Sequence, residues 1–167
     1  VLPNGVGARR QSQSPPPRFG ALLEEAEMNE HPLQKLVNAM SDAASAERGN
    51  YHLTLGKLVE KLRDFDPGMH VIYDMAEQLS PSSPQSYRGY YSDLSFPPSG
   101  KPITVKELLA ESEAAIGATF EGYKGGDFVM HERTPLWASG YGDASGIAIM
   151  DAKVIGDRVI LITKQID

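Results

Sequence analysis

Apolar and polar positions divide the chain into three stretches of different grammar. Residues 1–17 combine Gly, Ser, Gln and the run Pro15-Pro16-Pro17 with almost no large apolar side chains. Such a stretch cannot bury enough surface to offset its ordering entropy, and reads as a flexible arm. From Phe19 the period turns helical. Leu22, Leu23 and Ala26 precede a break near Asn29. Pro32 then stands where a first helical turn accepts it, and Leu33, Leu36, Val37 and Met40 follow at helical spacing toward Gly49. Residues 18–50 are therefore expected to form a helical extension, one short helix and one longer. Its apolar stripes are narrow, suited to packing on the main domain or on a neighbouring subunit.

The main domain is expected over residues 51–167. In Leu53-Thr54-Leu55-Gly56-Lys57-Leu58, Thr54 can cap a helix whose buried face is Leu55, Leu58, Val59 and Leu62, with Asp66-Pro67-Gly68 as its stop. The same grammar returns at Ile103-Thr104-Val105-Lys106-Glu107-Leu108, now with a full capping box between Thr104 and Glu107 and a stop at Gly117, which makes a weak internal repeat. Met69 to Asp74 alternates as a strand. Ser80 to Ser86 reads as turns, Tyr87 to Phe96 as strand, and Pro97-Pro98-Ser99-Gly100 as a break. Further strands are expected near Phe120–Tyr123, Phe128–His131, Leu136–Ala138, Gly146–Val154 and Arg158–Thr163, the last two joined as a hairpin by Ile155-Gly156-Asp157. Helices early and hairpins late predict an α+β domain: a mainly antiparallel sheet with helices on one face, preceded by a Pro-rich arm and two N-terminal helices.

Charge and composition narrow the function. Against 16 Lys and Arg stand 22 Asp and Glu, a net charge of −6, which disfavours general DNA or RNA binding. Cysteine is absent, so disulfides, thiolate zinc sites and thiol nucleophiles are excluded together. No apolar run approaches the ~18 residues of a membrane span, and Val1 to Gly5 carries no apolar signal core. The expected compartment is the cytoplasm, with no membrane partner.

Three aromatic and glycine-rich segments carry the candidate chemistry: Ser86-Tyr87-Arg88-Gly89-Tyr90-Tyr91-Ser92-Asp93-Leu94, then Gly122-Tyr123-Lys124-Gly125-Gly126-Asp127-Phe128, then Thr134-Pro135-Leu136-Trp137-Ala138-Ser139-Gly140-Tyr141-Gly142. A strand built only for folding favours Val and Ile there. Guanidinium and ammonium groups take phosphate or carboxylate while rings stack on a base, so the mixture suits an anionic ligand with a flat part. The candidate ligand-binding residues are Tyr87, Arg88, Tyr90, Tyr91, Tyr123, Lys124, Gly125, Gly126 and Trp137. The bland alternative makes the tyrosines good strand formers, Gly125-Gly126 a hairpin turn and Trp137 a core anchor. Catalytic machinery is not visible: there is no serine elbow, no phosphate loop and no His pair at metal spacing, and His31, His52, His70 and His131 are scattered. His131, Glu132, Asp127 and Asp143 could meet only through the tertiary fold. No cofactor and no resident metal are expected. Glu24, Glu25 and Glu27 read as a solvated helix face.

Over Leu53 to Thr163 the SYRGYYSDL, GYKGGDF and TPLW…YG segments resemble a family of small uncharacterised phage-encoded proteins. The resemblance implies no catalytic residues. It favours either a virion component or a small protein that manipulates host metabolism or defence, placed in the host cytoplasm. Three functions follow as expectations. The first is non-enzymatic capture of a nucleotide-like anion, such as a host defence signal. The second is a homo-oligomer or assembly protein docking through residues 1–50, and the third a nucleotide-cleaving enzyme.

Overall fold

Proline at the first helical position needs no partner for a missing N–H, and helix α1 (Pro32–Arg48) begins there. The structure, a computed structural model, describes residues 31–166; the arm expected over residues 1–17 and the short helix expected from Phe19 lie outside the described residues. By its internal contacts the chain divides between Leu36 and Val37 into two units. Of the first, the described part is the opening of α1. The sheet and the candidate site described below belong to the second.

Both threonine caps form. In α2 (Leu55–Asp64) the Thr54 hydroxyl accepts a long 3.5 Å hydrogen bond from the Lys57 N–H. In α3 (Val105–Ala115) the Thr104 hydroxyl accepts from the Glu107 N–H at 3.3 Å, and the Glu107 carboxylate accepts from the Thr104 N–H at 2.8 Å. Gly117, just past α3, has φ +78, a conformation that side chains with a Cβ resist.

The strands are β1 (His70–Tyr73), β2 (Ser80–Pro81), β3 (Gln85–Tyr87), β4 (Tyr90–Ser95), β5 (Pro98–Ser99), β6 (Ile103–Thr104), β7 (Thr119–Glu121), β8 (Asp127–Val129), β9 (Leu136–Trp137), β10 (Ile147–Ile155) and β11 (Arg158–Gln165). Seven of them form one sheet in the order β3-β4-β9-β10-β11-β1-β6, while β2 with β5 and β7 with β8 make separate two-stranded ribbons. The sheet is mixed, because β4 runs parallel to β9 and β1 parallel to β11 among otherwise antiparallel pairings. The turn-rich reading of Ser80 to Ser86 missed β2 and the start of β3, two pieces too short for alternation to show. The internal repeat ends at its helices: the strand after α2 enters the large sheet, and the strand after α3 enters the β7–β8 hairpin.

One face of the sheet carries the core. Leu55, Leu58 and Leu62 of α2 and Val105, Leu108 and Ala115 of α3 join Val71, Tyr73, Leu94, Leu136, Ile149 and Leu161 in a single buried cluster. The Tyr73 hydroxyl donates to the Phe96 carbonyl at 2.5 Å, and burial pushes its phenol well up. Because neighbours along a strand alternate, Asp93, Trp137 and Ala148 face the other way; Tyr87, Trp137 and Ala148 form a second small cluster there. Helices α2 and α3 share the core face, whereas the last turns of α1 reach the opposite face through Ser45 and Arg48, which bond Asp93. Leu53 links the two. Its N–H donates to the Ile149 carbonyl at 2.9 Å and its carbonyl accepts from the Leu136 N–H at 3.2 Å, so it bridges β9 and β10 beyond their single Ala148–Trp137 pairing.

Candidate functional site

Asp93 organises the face opposite the core. It is fully buried and accepts four hydrogen bonds. Arg48 donates through Nε at 2.7 Å and Nη2 at 2.9 Å, the Ser45 hydroxyl at 2.8 Å, and the Trp137 indole N–H at 2.9 Å. A buried carboxylate is tolerable only when paired and hydrogen-bonded in this way. Tyr87 lies flat on Trp137, centroids 4.4 Å apart and planes within 2°, and its hydroxyl accepts from the Gly146 N–H at 2.8 Å. Burial raises the Tyr87 pKa, with the Gly146 bond acting against the rise. The Arg48 guanidinium covers the Tyr90 ring, 3.8 Å from its centroid. His52 meets Trp137 edge-on at 4.6 Å, and its buried Nδ1 has no partner. Burial lowers the His52 pKa, although the Asp93 carboxylate pulls the other way.

Tyr87 and Trp137 therefore back the site and have their ring faces occupied by one another. Tyr91 is half-buried against Phe128, centroids 5.5 Å apart. The exposed chemistry lies beyond them. Arg88, at the turn between β3 and β4, holds its guanidinium 4.7 Å over the Tyr123 ring and donates to the Gly142 carbonyl. Tyr123 in turn meets Tyr141 at 5.5 Å, edge to face. Gly142 has φ +80, and a Cβ there would stand 2.9 Å from the Tyr123 ring, so glycine is required twice over. Lys124, Gly125 and Gly126 form the exposed turn of the β7–β8 hairpin; the Gly125 N–H closes it on the Gly122 carbonyl at 2.8 Å, and both glycines have φ +89.

The fold thus joins the three aromatic segments at one surface patch: Arg88 from the first, Tyr123 with Lys124 beside it in sequence from the second, Tyr141 and Gly142 from the third. Tyr90 is exposed on the Arg48 side of the same hairpin. The sequence reading did not single out Arg48, and it placed Asp93 and Tyr141 inside the candidate segments without giving either a role. A carboxylate next to Leu94 within the strand Tyr90–Ser95 was the available signal for Asp93.

A cleft of about 310 Å³ is lined by Ser41, Asp42, Ser92, Asp127, Phe128 and His131. Its two carboxylates, Asp42 and Asp127, oppose an anion. His131 accepts the Arg133 N–H on Nδ1 at 3.2 Å. Among the described residues no three His, Asp or Glu side chains are grouped to hold a metal ion, and no helix is long and apolar enough to cross a membrane. No protein-family model, no curated protein and no solved structure matches this chain.

Proposed function

We propose that this is a non-enzymatic binding protein that captures a small anionic ligand with a planar part, of nucleotide type, on the patch of Arg88, Tyr123, Lys124 and Tyr141. The observation that carries the reading is the Arg88 guanidinium lying over Tyr123 and bonded to Gly142, which joins three segments distant in sequence. Arg88 uses one terminal nitrogen on that carbonyl and keeps further N–H groups for an anion. The exposed rings of Tyr123 and Tyr141 offer a base stacking worth about 1–3 kcal/mol. The phage-type motifs add a role for such capture, the sequestration of a host signalling nucleotide, which needs affinity and no catalytic group.

Calorimetry against a panel of linear and cyclic nucleotides, followed by chromatography of the recovered ligand, tests this. Tight binding with unchanged ligand supports capture, and a cleaved product would make the protein an enzyme. Folded Arg88→Ala/Lys124→Ala protein should lose binding; unchanged affinity would remove the site. Added salt should weaken the contact of these exposed cations, because charges are screened over about 8 Å at physiological ionic strength.

A second reading, self-assembly, draws on α1, where Leu33, Leu36, Val37 and Met40 are each more than half exposed. Antiparallel pairing of two copies would set 33 against 40 and 36 against 37, a stripe complementary to itself. Light scattering that finds a monomer at all working concentrations would dismiss it.

A further inference from the structure

A separate groove opens on the sheet face away from α2 and α3. Val71 and Tyr73 are buried in the core, so strand alternation turns His70 and Ile72 to the other side. Parallel pairing of β1 with β11 sets His70 beside Arg158, with strands about 4.8 Å apart, so an imidazole and a guanidinium share one wall. The turn after β1 brings Glu77 and Gln78 to the groove, and Pro102, ahead of β6, closes it. The cavity measures about 330 Å³, at the small end of the roughly 300–1,000 Å³ of small-molecule sites.

The polar groups here make few bonds, and His70 lies within electrostatic reach of the Glu107 carboxylate. Among the described residues the side chains of His70, Glu77 and Gln78 make no hydrogen bond or ion pair, and Arg158 has only a 3.9 Å contact with exposed Asp157. One wall thus offers planar and ring N–H donors, the turn offers a carboxylate, and Ile72 with Pro102 gives apolar surface between them. A ligand complementary to all three elements carries an anion, a cation and a short hydrocarbon.

We propose that this groove binds a small zwitterion of the aliphatic α-amino-acid type. Its carboxylate lies on Arg158 and His70, the pairing that guanidinium geometry favours. The ammonium lies on Glu77, and the side chain on Ile72 and Pro102. The C-terminal residue of a peptide shares the carboxylate and the hydrocarbon but lacks the ammonium, which gives the test its arms.

The full chain is titrated, by nuclear magnetic resonance or calorimetry, with L-leucine, L-leucinamide, N-acetyl-L-leucine and Gly-Gly-Leu. Leucine should bind saturably at millimolar concentration and leucinamide should not. N-acetyl-leucine and the tripeptide should bind at least ~10-fold more weakly than leucine, a difference of about 1.4 kcal/mol. Arg158→Gln should weaken leucine ~10-fold or more and leave the fold intact, since the side chain is exposed. Glu77→Gln should abolish the preference for leucine over its N-acetyl form. Arg88→Ala should change none of these values, which separates this groove from the Arg88 patch. Absence of saturable leucine binding, or a folded Arg158→Gln protein that binds leucine like the parent, overturns the proposal. Equal or tighter binding of Gly-Gly-Leu overturns the zwitterion in favour of a chain terminus.

Discussion

Replacing Asp93 by Asn keeps the shape of the node that ties α1 to the sheet and removes its charge. Four donors then face an amide whose own N–H₂ group is a donor, and Arg48, whose side chain is only 17% exposed, loses its counter-charge. Removing one partner of a buried pair costs about 3–5 kcal/mol, and the partial exposure of Arg48 points to the lower end. Against a domain stability of about 5–15 kcal/mol that is a large fraction. At roughly 2–4 °C per kcal/mol for a chain of this size, the melting temperature should fall by about 10 °C. Trp137 is the single tryptophan and donates directly to Asp93, so its fluorescence reports the site while circular dichroism reports the whole fold. Arg48→Met combined with Asp93→Leu, which removes both charges, should be more stable than Asp93→Leu or Arg48→Met alone, and should fall short of the parent because the Ser45 hydroxyl and the Trp137 N–H lose their acceptor. If Asp93→Asn melts within ~2 °C of the parent, or the double variant is no better than the singles, the node is not what holds α1, and the reasoning from buried charge fails.

Trp137→Ala should cost about 3–5 kcal/mol, as aromatic truncations in packed clusters do, whereas exposed Arg88→Ala should change stability by under ~0.5 kcal/mol and act on ligand binding alone; denaturant titration separates the two. Gly142→Ala must accommodate a Cβ at positive φ and 2.9 Å from Tyr123, so it should lose about 1 kcal/mol or more and disturb Arg88 binding together with the fold. Burial lowers the His52 pKa below its ordinary 6.5. Above that pH both folded and unfolded His52 are neutral and it adds no pH dependence. Below it the unfolded chain takes a proton that the folded one resists, so stability should decline as pH falls from 6.5. Urea melts should show this decline reduced in His52→Phe. Glu107 acts in a lower window: its pKa is held below 4.5, first by the Thr104 backbone N–H, so its contribution is present above 4.5 and is lost on further acidification.

The elements legible in the sequence are those written in neighbouring residues. Thr54 and Thr104 mark helix starts because a hydroxyl reaches an N–H three residues on, whatever the rest of the chain does. Asp66-Pro67-Gly68 and Gly117 end helices for equally local reasons, and Ile155-Gly156-Asp157 turns β10 into β11 through a glycine at φ +63. The tyrosine, arginine and glycine segments were visible as unusual for strands, and the helical period of Leu33 to Met40 marked α1. Only the tertiary structure decided which of those aromatics face water. Tyr87 and Trp137 vanish into one stack while Tyr123 and Tyr141 stay exposed, since the face a strand buries depends on what packs against it. The parallel pairings of β4 with β9 and β1 with β11 join residues far apart along the chain, with no turn between them to announce the register. The Arg48–Asp93 bond spans 45 residues, and its strength comes from the low-dielectric setting that only the assembled fold creates.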